Sequence, residues 1–98
     1  MKKLTVIALL IAAGSVHAET ISKNAVACTT ESKFDEITQA IVTKDQRGMQ
    51  YMLGNGCIVT NGRYSVSVLD RTWSGKVKVR AYAGEDAIVL WTNMESVN

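Results

Sequence analysis

The side chains of this 98-residue sequence with the most chemistry to offer are Cys28 and Cys57. They do not form the Cys-x-x-Cys spacing of a redox pair, and a lone pair of cysteines in a small exported chain has one internal pairing open to it. A Cys28–Cys57 bridge would close a loop of about 30 residues and add on the order of 3–4 kcal/mol in the chain-entropy treatment. The only histidine, His17, falls in an N-terminal segment that reads as removable. Without it, Ser/His/Asp and Cys/His nucleophilic centres and histidine-containing zinc sites have no residues to use. Carboxylate chemistry would rest on Asp35/Glu36 and Glu85/Asp86. Sequence neighbours point apart on a helix or strand, so helix-end and turn solvation account for these pairs better than catalysis does. The glycines are scattered and form no phosphate-cradling loop. No catalytic residue, metal site or cofactor is expected.

Binding chemistry is better represented. Lys76, Lys78 and Arg80 alternate with Val77, Val79 and Ala81, so on a strand the three cations share one face. Tyr82 continues that face, with Arg71 and Trp73 just before it. Cations beside aromatics suit an acidic partner surface, a carboxylate-bearing cell-wall peptide or, least of the three, a strand of nucleic acid. Trp73 lies in a polar Arg-Thr-Trp-Ser-Gly stretch and is expected at an exposed turn, whereas Trp91 is expected in the core, with a binding platform as the alternative. The candidate binding residues are Trp73, Lys78, Arg80 and Tyr82.

Residues 1–18 have the three parts of a secretory signal: Lys2 and Lys3, an apolar run from Leu4 to Ala13, and a small-residue region ending at Ala18. The apolar run is shorter than the roughly 20 residues a membrane-spanning helix needs. Lys2 and Lys3 also account for the whole formal charge of +2, leaving nine basic and nine acidic residues in the remainder. A balanced chain has no general attraction for nucleic acid or anionic membranes. The expected location is the periplasm or the exterior, with no stable membrane insertion after cleavage. The alternative is a lipid anchor at Cys28, because Ala25-Val26-Ala27-Cys28 resembles the box preceding a lipid-modified cysteine.

A single domain over 19–98 must position these residues. Glu19 to Ala27 is polar and aperiodic and reads as a loose arm. Phe34, Ile37 and Ile41 recur at helical spacing, with Ser32 and Asp35 placed as a capping box or a start at Thr29 or Thr30. Asp45 caps a second helix with Met49, Met52 and Leu53 on one face, ended by Gly54 and weakened by Gly48. These predict a helical hairpin over 29–54. From 57 to 92 the pattern becomes strands: Cys57–Thr60, an Asn61-Gly62 turn, alternation through Tyr64, Val66 and Val68, then the Lys76–Ala81 strand and a last one over 87–92. The spacing from Thr92 to Glu95 allows a closing helical turn. The expected class is α+β: an N-terminal helical hairpin packed on a small four-stranded antiparallel sheet or barrel, stapled by one disulfide.

Val66-Ser67-Val68-Leu69-Asp70, then Trp73-Ser74-Gly75-Lys76-Val77-Lys78-Val79-Arg80, then Leu90-Trp91-Thr92 resembles bacterial SH3-like barrel domains of small exported envelope proteins. The likeness covers residues 57–95. It implies a barrel and a broad role and identifies no ligand; the expected partner is another envelope protein or a cell-wall peptide. A non-enzymatic interaction module is the expected function. The alternatives are an inhibitor or immunity protein against a periplasmic enzyme or toxin, or an accessory protein of an envelope assembly.

Overall fold

The computed structural model describes residues 19–98, so the secretory-signal reading of residues 1–18 lies outside the described residues. The elements run β1 (Glu19–Ile21), β2 (Val26–Cys28), α1 (Glu31–Val42), α2 (Gln46–Leu53), β3 (Cys57–Val59), β4 (Tyr64–Arg71), β5 (Lys76–Ala83) and β6 (Asp86–Asn93). A short 3-10 turn follows over Met94–Ser96. The strands form one antiparallel sheet in the order β1-β4-β5-β6-β2-β3.

That order simplifies once the register is followed. Ile21 sits opposite Tyr64, and Val26 opposite Val59, so both segments advance five residues between the two pairs. β1 and β2 are therefore halves of one bent strand, and β3 and β4 are halves of its partner. The bend falls at Ser22–Ala25, where Asn24 takes a left-handed conformation (φ 66°), which asparagine tolerates better than most residues. Buried Thr60 spans the bend from the other strand. Its hydroxyl donates to the Ser22 carbonyl at 2.6 Å and accepts the Ala25 N–H at 2.8 Å. At the far side, β6 returns to pair with β2 at Cys28↔Trp91. Val97 then bridges Ile21, and Asn98 exchanges two 2.9 Å backbone bonds with Thr20. The 19–28 segment is thus paired along both edges, and the sheet curls around an inner core of Ile21, Ala27, Val66, Val77, Val79, Ala81 and Leu90.

The architecture corrects the expectation on two points. The sheet has six strands and not four, and the helices lie between β2 and β3 instead of preceding the sheet. The supposed loose arm supplies both unforeseen strands and buries Ile21, Ala25 and Ala27. Three-residue strands have too little length to show a period, and their pairing partners lie some 30 to 47 residues away in the chain.

The disulfide is present. Cys28 and Cys57 face each other at the base of the helical excursion, with Cα atoms 4.0 Å apart. The Thr29 N–H donates to Gly56 O at 2.8 Å, which marks the cysteines as a cross-strand pair without mutual backbone bonds, the closer kind. The bridge joins the end of β2 to the start of β3. Being fully buried and oxidised, Cys28 is not the free N-terminal thiol that the lipid-anchor alternative required.

Thr30 is the N-cap of α1, accepting the Lys33 N–H, and Asp45 caps α2 through the Gly48 N–H. Phe34, Ile37 and Met52 pack on the disulfide in a second core outside the sheet, with Val26 and Trp91 at its margin. Burying each such side chain contributes about 1.5–3 kcal/mol. The buried face of α1 is Phe34, Ile37 and Ala40, while Ile41 is largely exposed, in contrast to the expected stripe. Ala40 is chosen because α2 crosses there. A Cβ on Gly48 would lie 3.4 Å from the Ala40 Cβ and 2.5 Å from the Asp45 carboxylate, so Gly48 permits both the cap and the close approach.

Two stability predictions follow from these contacts. Reducing the disulfide should lower the melting temperature by roughly 12–25 °C, from the loop it closes and the size of the domain. Thermal unfolding with and without reductant measures this, and an unchanged midpoint would show that the bridge constrains nothing. Thr60→Val should cost about 1–3 kcal/mol by stranding the Ser22 carbonyl and Ala25 N–H. A urea midpoint equal to that of the parent protein would remove Thr60 from its place as the pin of the bend.

Candidate binding surface on the outer face of β5

β5 lies in the middle of the β4-β5-β6 meander, and alternation sends Val77, Val79 and Ala81 inward. Lys76, Lys78, Arg80 and Tyr82 share the outer face, as the spacing required. Their surroundings differ sharply along the strand.

Lys76 meets α1. Its Nζ lies 2.7 Å from a Glu31 carboxylate oxygen and 2.9 Å from one of Asp35. The hydrogen bond to Glu31, then that to Asp35, holds the Lys76 ammonium above its ordinary value of 10.5. This cation joins helix to sheet and is not free to meet a partner. The Glu31/Asp35 pairing also explains why acidic residues gather in the first turns of α1, where the helix dipole already favours them.

Lys78 stands between Asp70 on β4 and Trp91 on β6. Asp70 reaches this face through an irregularity after Val68, where one extra residue, the exposed Leu69, shifts the register. Yet the Asp70 carboxylate accepts its neighbour Arg71's N–H at 2.8 Å, and Lys78 makes no ion pair among the described residues. Arg80 is exposed, flanked by Ser67 and Val89, and is likewise without a carboxylate partner there. The Tyr82 hydroxyl bonds to Ser67 Oγ at 2.9 Å. That bond, with the adjacent Arg80 next, lowers the pKa of the phenol below the ordinary 10.0. Two cations without an ion pair among the described residues, beside an aromatic hydroxyl, offer hydrogen-bond donors of the kind a carboxylate accepts.

Trp73 does not belong to this patch. It is 100% exposed at the turn before β5, and Tyr82 lies six residues beyond the first residue of that strand, about 20 Å along it. The four candidate residues therefore divide into a face (Lys78, Arg80, Tyr82) and a separate projecting tip. Trp91 is half-buried against the helix-side core, between the two roles considered for it. The acidic pairs are also separated: Asp35 is bound to Lys76, while Glu85 and Asp86 sit at the β5–β6 hairpin end.

Sequence reasoning missed the loss of Lys76. Glu31 and Asp35, four apart on one helix face, were the available signal, but only the insertion of α1 beside the sheet makes them a clamp. Because the folded-state value of Lys76 is raised, its stabilisation is complete below the unfolded value of 10.5 and disappears as pH rises through the folded one. The difference in melting temperature between the parent protein and Lys76→Met should be constant at neutral pH and shrink above about pH 10.5. Paired thermal melts across this range test it, and a difference insensitive to alkali would mean that the clamp is not electrostatic.

Among the described residues no helix is long and apolar enough to cross a membrane. No protein family matches the chain, and no curated protein or solved structure does either, so the likeness to SH3-like barrels is not supported by any relative.

Proposed function

We propose that the protein is a non-enzymatic, exported binding module that engages an acidic surface of a protein partner through Lys78, Arg80 and Tyr82. The observation that carries this reading is the uneven use of the β5 cations: Lys76 is neutralised by α1, while among the described residues Lys78 and Arg80 have no carboxylate of their own. The disulfide belongs to an oxidising, non-cytoplasmic compartment, and the periplasm is the compartment that fits the N-terminal sequence. A rigid, stapled domain suits binding because little order is lost on association.

A second reading has one observation in its favour. Trp73 projects fully exposed from the turn that links β4 to β5, as an inhibitor or immunity protein would present an anchor to a partner's cleft. The two readings are separated by crosslinking in intact cells followed by affinity capture. Lys78→Glu with Arg80→Glu should abolish capture while moving the melting temperature by less than about 3 °C, since Arg80 is exposed, Lys78 only half-buried, and neither has an ion pair among the described residues to lose. Trp73→Ala should leave capture intact. Loss with Trp73→Ala alone would assign the interaction to the projecting turn, and persistence in the charge-reversed protein would discard the β5 face.

A further inference from the structure

A second surface opens where the curled sheet is incomplete. The β4–β5 ladder stops at Val66↔Ala81, although β5 continues to Ala83 against β6. β3 ends the sheet order and pairs only with β2. Between this edge and the hairpin end lies an apolar cavity of about 310 Å³, bounded by Ile58, Val59, Tyr64, Tyr82, Ala83 and Ile88. Its size is at the lower end of the range for pockets that hold a ligand group. Ile58, Val59 and Ile88 are each close to half exposed; Ile58 and Ile88, opposite buried Ala27 and Ala81, face inward and are left uncovered, while Val59 faces the other side with Val26.

The edge has a readable polarity. Since Cys28 and Cys57 do not bond to each other through the backbone, Ile58 turns its N–H and C=O toward β2 and Val59 turns its own away. Cys57 is buried beneath α1, so Val59 is the position at which another strand can pair. Beside the cavity, the hairpin carries Glu85 and Asp86, both exposed and without an ion pair among the described residues. No Lys or Arg occurs from Ala81 to Leu90 to balance them.

We propose that this cleft receives an extended peptide segment of a partner protein, pairing with Val59, placing one apolar side chain in the cavity and a neighbouring Lys or Arg against Glu85 and Asp86. Strand addition gives the backbone its hydrogen bonds and leaves selectivity to the side-chain pocket. The acidic turn selects against a fatty-acid carboxylate and against a second copy presenting the same turn. This inference rests on the chain being a binding module, but its surface shares only Tyr82 with the β5 outer face and takes a partner of opposite charge.

Selection from a displayed library of random heptapeptides on the purified protein tests it. The enriched peptides should combine an apolar residue with Lys or Arg one or two positions away. Ile88→Lys should weaken the selected peptides at least about tenfold, and Glu85→Lys with Asp86→Lys about threefold or more, as read by fluorescence anisotropy. Methylating the peptide nitrogen that would pair with Val59 should weaken binding similarly, which a purely apolar contact would not show. Thermal melts confirm that these surface variants fold. Acidic peptides whose affinity falls with Lys78→Glu and Arg80→Glu but not with Ile88→Lys would overturn the cleft while supporting the β5 face. Failure to enrich any cleft-dependent peptide, or laurate or self-association acting on the same residues in place of peptide, would also overturn it.

Discussion

Everything in this fold hangs on the continuous register between residues 19–28 and 57–66. It begins at Glu19↔Val66, passes through a bend, and ends at the covalent pair Cys28–Cys57. Because neither segment gains a residue relative to the other, the bend redirects the ribbon without flipping its inner and outer faces. Ile21 and Ala27, on opposite sides of the bend, can then enter one inner core with the valines of β5. Closing the long excursion from 28 to 57 carries an entropic cost that the ribbon alone must meet in the unfolded chain. The disulfide removes most of that cost, which is why it belongs at the end of the ribbon where the helices leave.

The helical excursion determines what the outer face of the sheet can do. A bare strand with Lys76, Lys78 and Arg80 would present three equivalent cations. Once α1 is folded back beside the disulfide, Glu31 and Asp35 reach the first of them, and the remaining two acquire an identity from their neighbours. Lys78 is set beside Trp91, which also borders the core under α1. Arg80 is set beside the Tyr82–Ser67 hydrogen bond. The face is therefore graded along β5, structural at the helix end and open at the other.

This grading explains what was legible in the sequence. The alternation Val77, Val79, Ala81 identified the inward face of β5 because period two is a local property of one strand, and the Asp45 cap was equally local. The two-cysteine count left a single internal pairing, which forms. What escaped was non-local. β1 and β2 are strands only because 57–66 lies beside them, and no periodicity can appear in three residues. The Ile41 position failed for a related reason. Helical spacing tells that residues share a face but not which way that face leans, and here the approach of α2 at Gly48 draws Ala40 inward instead. Among the candidate site residues, the common face of Lys78, Arg80 and Tyr82 was legible, while the distance to Trp73 depended on where the turn falls.

The edges of the sheet bear on the same division. An unpaired strand edge invites aggregation, and small β proteins cover such edges or blunt them. The free side of β1 is closed by Val97 and Asn98, and the buried Cys57 end of β3 lies under α1. The chain thus uses its C-terminus and its helical insertion to cover backbone, yet it leaves Val59 bare beside an apolar cavity. The acidic hairpin end next to that opening repels another copy of itself. An edge guarded by charge and not by cover remains accessible to a segment of complementary charge, so in the proposed binding mode protection from self-association and selectivity for a basic partner would come from the same two carboxylates.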